Sequence, residues 1–205
     1  VRMIRAIRFE VKLDAKLDSN ITKAISQQSH LLGGIPPARL YDECIKLFHN
    51  EKSYRVFERL IETGLLNHLF KQTNNSKFIK KALNNTSERL KTNKSVTPAF
   101  LFSVFLWDSQ NKHFKKIKKR NKSNFVAMNQ ASEEVISRQV KQVLMPKWLS
   151  AKVKDVWMMQ HQLEKCSSKK VIDLIANPRF RMAYDFLVLR SQSINPELSD
   201  RVEYW

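Results

Sequence analysis

Two hundred and five residues suffice for one large or two small domains with a real hydrophobic core. Three glycines and six prolines supply too few turn residues for a β-rich fold, so composition points to helices. Lys and Arg outnumber Asp and Glu by 37 to 19, and the resulting +18 implies an anionic partner, nucleic acid ahead of a membrane surface.

Met3, Ile4, Ile7 and Val11 form an apolar stripe on a first predicted helix, while Arg2, Arg5 and Phe9 share another face. Two guanidinium groups and a ring there suit an anionic or planar group, although the pattern alone favours a plain amphipathic helix with solvated arginines. Asp18-Ser19 can cap a second helix with Ile21, Ala24 and Ile25 inward, ending before Gly33-Gly34. Pro36-Pro37 restarts the chain, and Leu40, Cys44, Leu47 and Phe48 follow helical spacing. On that helix Arg39 and Glu43 stand four apart and can pair. Tyr54, Phe57, Leu60 and Ile61 mark the next helix, with Gly64 as its stop and residues 65–70 as an apolar turn.

Residues 71–94 are polar and rich in Asn and Lys, and read as an exposed helix or a connection. Thr97-Pro98 caps a helix that is apolar almost all round, through Phe100, Leu101, Val104, Phe105 and Trp107. After a basic segment come Val126, Ala127, Ala131, Val135, Ile136, Val140, Val143 and Leu144, interrupted by Pro146. Val153, Val156, Trp157, Gln160 and Leu163 form another helix. Asn177-Pro178 opens a last one with Phe180, Ala183, Tyr184, Leu187 and Val188. The expectation is an all-α fold: a helical bundle over 1–70, a polar connection over 71–96 and a larger helical body over 97–205. Trp107 and Trp157 are expected in the core, and Trp205 is read as marking a chain boundary.

Several chemistries are missing. Gly33, Gly34 and Gly64 cannot build a phosphate loop, and no Asp-x-Asp pair exists to place two metal ions. The five histidines are not at metal-ligand spacing, and His161 with Cys166 would supply two ligands only. The adjacent carboxylates Asp42-Glu43 and Glu133-Glu134 diverge on a helix and read as solvated faces or caps. This chain alone is therefore expected to catalyse nothing and to bind no metal. Cys44 and Cys166 are too few for a disulfide framework, no apolar run reaches membrane-spanning length and no leader opens the chain. A reduced, cytoplasmic protein without a membrane anchor is expected. The chain starts at a valine within a helical pattern, so it is expected to be part of a longer protein.

Two segments could bind an anion. Residues 114–122 hold six cations, Lys115, Lys116, Lys118, Lys119, Arg120 and Lys122, as phosphate neutralisation requires. Phe114 and Phe125 could stack on bases there; the other reading is a solvated face with both rings inward. Arg179, Arg181 and Arg190 decorate the last helix, whose N-terminus could receive a phosphate.

The run Arg2-Met-Ile-Arg-Ala-Ile-Arg-Phe9 resembles the R-x-x-R-A-x-R-F end of the nucleotide-selecting motif of bacterial poly(A) polymerases and their CCA-adding relatives. Pro37-Ala-Arg-Leu-Tyr-Asp-Glu-Cys-Ile-Lys-Leu47 resembles their P-A-R-L-x-x-E-x-x-K-L helix. Thr97-Pro-Ala-Phe-Leu-Phe-Ser-Val-Phe-Leu-Trp107, Ala127-Met-Asn, Met145-Pro-Lys147, Val156-Trp157 and Pro178-Arg-Phe-Arg-Met-Ala-Tyr-Asp-Phe-Leu recur in the family's order. The resemblance covers nearly the whole chain and favours poly(A) polymerase over CCA-adding enzymes. It implies a neck that helps select ATP, through Arg2, Arg5 and Arg39, and a helical body that holds RNA. It also implies a catalytic head and an acidic pair before residue 1, with Mg²⁺ and ATP used by the parent to add AMP to RNA 3′ ends. The alternatives are the matching part of a CCA-adding tRNA nucleotidyltransferase, or a stand-alone helical RNA-binding module.

Overall fold

The computed structural model describes residues 1–71, 73, 77–120, 123–165 and 171–205, and among these it is all-α, with no strand. Two compact units divide it: Val1–Asn74 with Leu83–Val96 and Ser137–Met145, and Asn75–Ala82 with Thr97–Ile136 and Pro146–Trp205.

The first unit contains α1 (Arg2–Lys12), α2 (Ser19–Gln27), a 3₁₀ turn at Ser29–Gly34, α3 (Pro37–Phe48), α4 (Ser53–Glu62) and the single turn α5 (Leu66–Leu69). Helix α1 buries Ile4, Ile7 and Val11, as its stripe predicts. Asp18 caps α2 by accepting the Asn20 N–H at 2.8 Å. That helix buries only Ile25, leaving Ile21 and Ala24, expected inward, exposed. Gly64 adopts φ +72°, the left-handed geometry that ends α4 without a Cβ penalty.

The polar stretch after residue 71 forms α6 (Lys77–Lys91), which contributes to both units. It is not merely exposed: Phe78, Ile79, Ala82 and Leu83 are buried, and so are Thr86 and Ser87. Ser87 Oγ donates to the Leu83 carbonyl at 3.0 Å, so this buried hydroxyl is satisfied on its own helix. Helix α9 (Asn124–Gln142) likewise contributes to both units.

The second unit is built on α7 (Pro98–Phe105), α8 (Trp107–Lys118), α10 (Lys147–Lys165), α11 (Val171–Ile175), α12 (Phe180–Ser191), a 3₁₀ turn at Pro196–Leu198 and α13 (Ser199–Tyr204). Thr97 caps α7 with Pro98 in its first turn, and residues 101–107 are all buried. Trp157 is fully buried, its Nε1 donating to the Ser103 carbonyl at 3.1 Å. Phe186 meets Phe78, Phe100 and Trp107 edge-on at 5.3, 6.1 and 5.2 Å. Gln160 donates to the Ala183 carbonyl at 3.0 Å, tying α10 to α12. Val126 and Leu144, read as inward from the sequence, are exposed, and Tyr184 is half-buried with its hydroxyl donating to the Val202 carbonyl. Trp205 is a packed residue: its ring meets Phe180 at 5.7 Å and its Nε1 donates to the Leu163 carbonyl at 3.0 Å.

Candidate nucleotide- and RNA-binding surfaces

In the first unit the cations of α1 divide into braced and unbraced groups. Arg5 donates through Nε and Nη2 to one oxygen of Glu43, at 3.0 and 2.7 Å. Glu43 is buried while Arg5 keeps half its side chain in water. The Arg39–Glu43 pairing expected from i,i+4 spacing is therefore replaced: the Glu43 carboxylate takes Arg5 from α1, with Lys46 at 3.7 Å. Burial pushes the Glu43 carboxyl up, but hydrogen bonds and charge from Arg5, with Lys46 and Arg8, outweigh it and hold the group below the usual carboxylate range. The same hydrogen bond raises Arg5.

Further along α1, Glu10 accepts both Nε and Nη2 of Arg59 at 2.9 and 3.0 Å, and the Leu17 N–H at 3.2 Å. Lys52 and Arg55 grip Asp14 beyond the end of the helix. Helix α1 is thus pinned to α3 and α4 at three places. Arg2 and Arg39 are exposed and have no carboxylate partner among the described residues. Arg2 stands one turn before Arg5 on α1, and Arg39 one turn before Glu43 on α3. Arg8, which sequence reasoning left unassigned, lies 5.0 Å over the half-exposed ring of Phe9.

In the second unit, α8 and the turn after it carry Lys115, Lys116, Lys118, Lys119 and Arg120, all exposed; Lys122 lies outside the described residues. No acid occurs between Asp108 and Glu133. Ile117 is the inward residue of this stretch, clustered with Ala127 and Ala131, and Phe114 packs against them. Phe114 is thus a packing ring, whereas Phe125 is 65 % exposed. Asn124 and His161 are 2.9 Å apart, and burial, with the charges of Lys165 and Lys118, lowers His161 despite Glu164.

The arginines of α12 are less available than the sequence suggests. Arg179 Nε is 3.6 Å from Asp155, and Arg181 Nε is 3.2 Å from Asp185. At the start of α12 the Arg179 N–H already goes to Asn177 Oδ1 at 2.8 Å, which reduces what that terminus can offer a phosphate. Arg190 is buried: it pairs with Glu164, donates to Gln160 and lies 4.8 Å from the Trp107 ring centroid. It belongs to the core.

Among the described residues no group of three His, Cys, Asp or Glu could hold a metal ion. Nor is any described helix long and apolar enough to cross a membrane. Cys44 is buried, which raises its thiol far above the ordinary value; Cys166 lies outside the described residues.

Two family profiles match the chain: "Polymerase A arginine-rich C-terminus" over residues 120–205 and "Probable RNA and SrmB-binding site of polymerase A" over residues 15–77. Poly(A) polymerase I of Escherichia coli O157:H7 is 31% identical over 217 residues, covering 100% of this chain and 47% of that protein. Poly(A) polymerase I of Haemophilus influenzae is 30% identical over 216 residues, covering 100% and 48%. A CCA-adding enzyme of Pediococcus pentosaceus is 37% identical over 65 residues, 32% of this chain and 16% of that enzyme. The chain thus spans about half the length of the poly(A) polymerases it matches.

Proposed function

The chain belongs to the bacterial poly(A) polymerase family, and on that premise we propose that it is the nucleotide-selecting neck and RNA-holding body of an enzyme adding AMP from ATP to RNA 3′ ends in the cytoplasm. In this reading residues 1–70 are the neck, 71–96 a connection and 97–205 the body. Arg2, Arg5 and Arg39 face the nucleotide. Arg5 is held by Glu43 through Nε and Nη2, while Arg2 and Arg39 offer donor forks without a carboxylate partner among the described residues. Mg²⁺ would supply charge neutralisation for phosphoryl transfer. In this reading the metal and the catalytic carboxylates are supplied by a catalytic head outside these 205 residues.

The observation that carries the reading is the α8 surface: an acid-free stretch presenting exposed cations, followed five residues after Arg120 by the exposed ring of Phe125. Such a surface tracks a phosphate backbone and offers a base a place to stack. Arg179 and Arg181, each already near a carboxylate, would be secondary contacts. The test is titration of the 205-residue chain with a fluorescent single-stranded oligoadenylate at several salt concentrations. Lys115, Lys116 and Lys119 changed together to Gln should weaken binding and flatten the slope of log affinity against log salt by up to about 2, at ~0.7 per phosphate contact. Equal affinity and equal slope would reduce the cluster to solvated surface.

A further inference from the structure

Trp148 stands in the first turn of α10, where a covered stripe of the helix runs out into solvent. Positions 148, 152, 155 and 159 fall along one side of the helix. Towards the C-terminal end that side is occupied: Met159 packs in the cluster of Leu163, Ala183 and Leu187. One step earlier, Asp155 meets Arg179 at 3.6 Å. The first two turns lack such cover. Trp148 is 49 % exposed, and the Lys152 ammonium lies 5.2 Å from its ring centroid.

The surrounding charge is positive. Lys147 is exposed, and neither it nor Lys152 has a carboxylate partner among the described residues. Two nearby acids are matched, Asp155 by Arg179 and Glu133 of α9 by Lys154 at 2.9 Å. A protein-docking patch would gather several apolar side chains around its centre. Here one indole stands among Ala151, Lys152 and Asp155 on the outer side of the helix. A flat ring carrying its own cation, with a second lysine beside it, matches an unpaired base flanked by phosphates.

We propose that Trp148, with Lys147 and Lys152, is a base-stacking site for single-stranded RNA, carried by a different helix from the α8 cluster. The proposal rests on the reading of this chain as an RNA holder. It also fixes what kind of contact Trp148 makes: a neutral ring releases no counterion, so it contributes affinity without salt dependence.

The experiment uses the 205-residue chain, a fluorescent oligoadenylate and an abasic oligonucleotide of the same length. Trp148→Ala should bind oligoadenylate roughly tenfold more weakly at every salt concentration, with the salt slope of the parent. Trp148→Phe should recover most of the loss, and the abasic strand should not distinguish Trp148→Ala from the parent. Because the ring is half exposed, circular dichroism should report an unchanged fold. If the parent chain binds no RNA at all, the reading beneath the proposal fails. If the parent binds RNA in a manner sensitive to Lys115, Lys116 and Lys119 but Trp148→Ala binds equally well, the stacking site alone is overturned. An equal loss on the abasic strand would also overturn stacking.

Discussion

Removing Arg5 should destabilise the chain more than removing Glu43, although the two form one ion pair. The asymmetry follows from exposure: the Glu43 side chain is 2 % exposed and that of Arg5 47 %. In Glu43→Leu the released guanidinium turns into water and an apolar side chain replaces a buried carboxylate, so the cost should stay below about 1 kcal/mol. In Arg5→Leu the carboxylate remains buried, with Oε2 already lacking a hydrogen-bond partner and only Lys46, at 3.7 Å, still paired with it. Stranding the Glu43 charge should cost about 2–3 kcal/mol at neutral pH, or roughly 4–12 °C in unfolding midpoint. The pH dependence gives a second readout. In the parent, burial lifts Glu43 but Arg5 and its neighbours bring it below the ordinary value. A group lowered by folding stabilises above its unfolded value, about 4.3, and loses that contribution as pH falls through the folded value. Without Arg5, burial prevails and the sign reverses: Glu43 is raised, the deficit is greatest near neutral pH, and it fades as acid protonates the group in both states. Thermal unfolding of both variants, followed by far-UV circular dichroism at neutral and acidic pH, measures this. Equal losses, or a gap that does not narrow in acid, would refute the argument.

Trp157→Ala should cost about 3–5 kcal/mol in chemical denaturation, since the ring is fully buried and its N–H occupied by Ser103; a loss under about 1 kcal/mol would place it outside the core. The pure 205-residue chain with ATP and Mg²⁺ should extend no RNA primer, as no described cluster can hold the metal. Primer extension with contaminating polymerase excluded would overturn that expectation. Arg2→Ala in the full-length protein should reduce the preference for ATP over CTP by about tenfold or more, the worth of a charge-assisted hydrogen bond. Unchanged selectivity in competition assays would assign Arg2 to solvent.

Where apolar periodicity is strong, the fold was legible in the sequence. The stripe of α1 and the all-round apolar face of α7 both become buried, although α1 also buries Glu10 and α7 Ser103. The reading fell short where a few apolar residues are scattered among many polar ones, as Phe78, Ile79, Ala82 and Leu83 are on α6. Helix α6 looks like a polar linker, yet Thr86 and Ser87 are buried, and Ser87 satisfies its hydroxyl on the preceding turn, invisible to a hydrophobicity pattern. The neck pair failed for another reason. Spacing offers Glu43 a local partner in Arg39, whereas its actual partner Arg5 lies 38 residues away and reaches it only after α1 and α3 pack. Arg190 and Trp205 were misread likewise, since their partners Glu164, Gln160 and Leu163 come from a separate helix.

The two cationic regions follow opposite electrostatic logic, and that difference bears on how each could serve RNA extension. On α1 and α4 the arginines close on buried carboxylates, Arg5 on Glu43 and Arg59 on Glu10, so their geometry is set by short, partly desolvated contacts. Salt screens such contacts little, because few ions enter between the partners. On α8 the cations stand in water on a stretch without acids. Their attraction for phosphate is therefore long-ranged and falls steeply with ionic strength. A site that must discriminate one base from another requires donors held in place. A surface along which an RNA end must advance after each addition requires contacts that release. Of the three arginines proposed for the nucleotide only Arg5 is braced in this way, so in the proposed enzyme raising salt should weaken primer binding through α8 more steeply than it alters Arg5's share of the nucleotide preference. Selectivity of an Arg2→Ala variant, in which Arg5 remains, and RNA affinity measured over one salt series should separate; if they decline in parallel, Arg5 is no better braced than the lysines of α8.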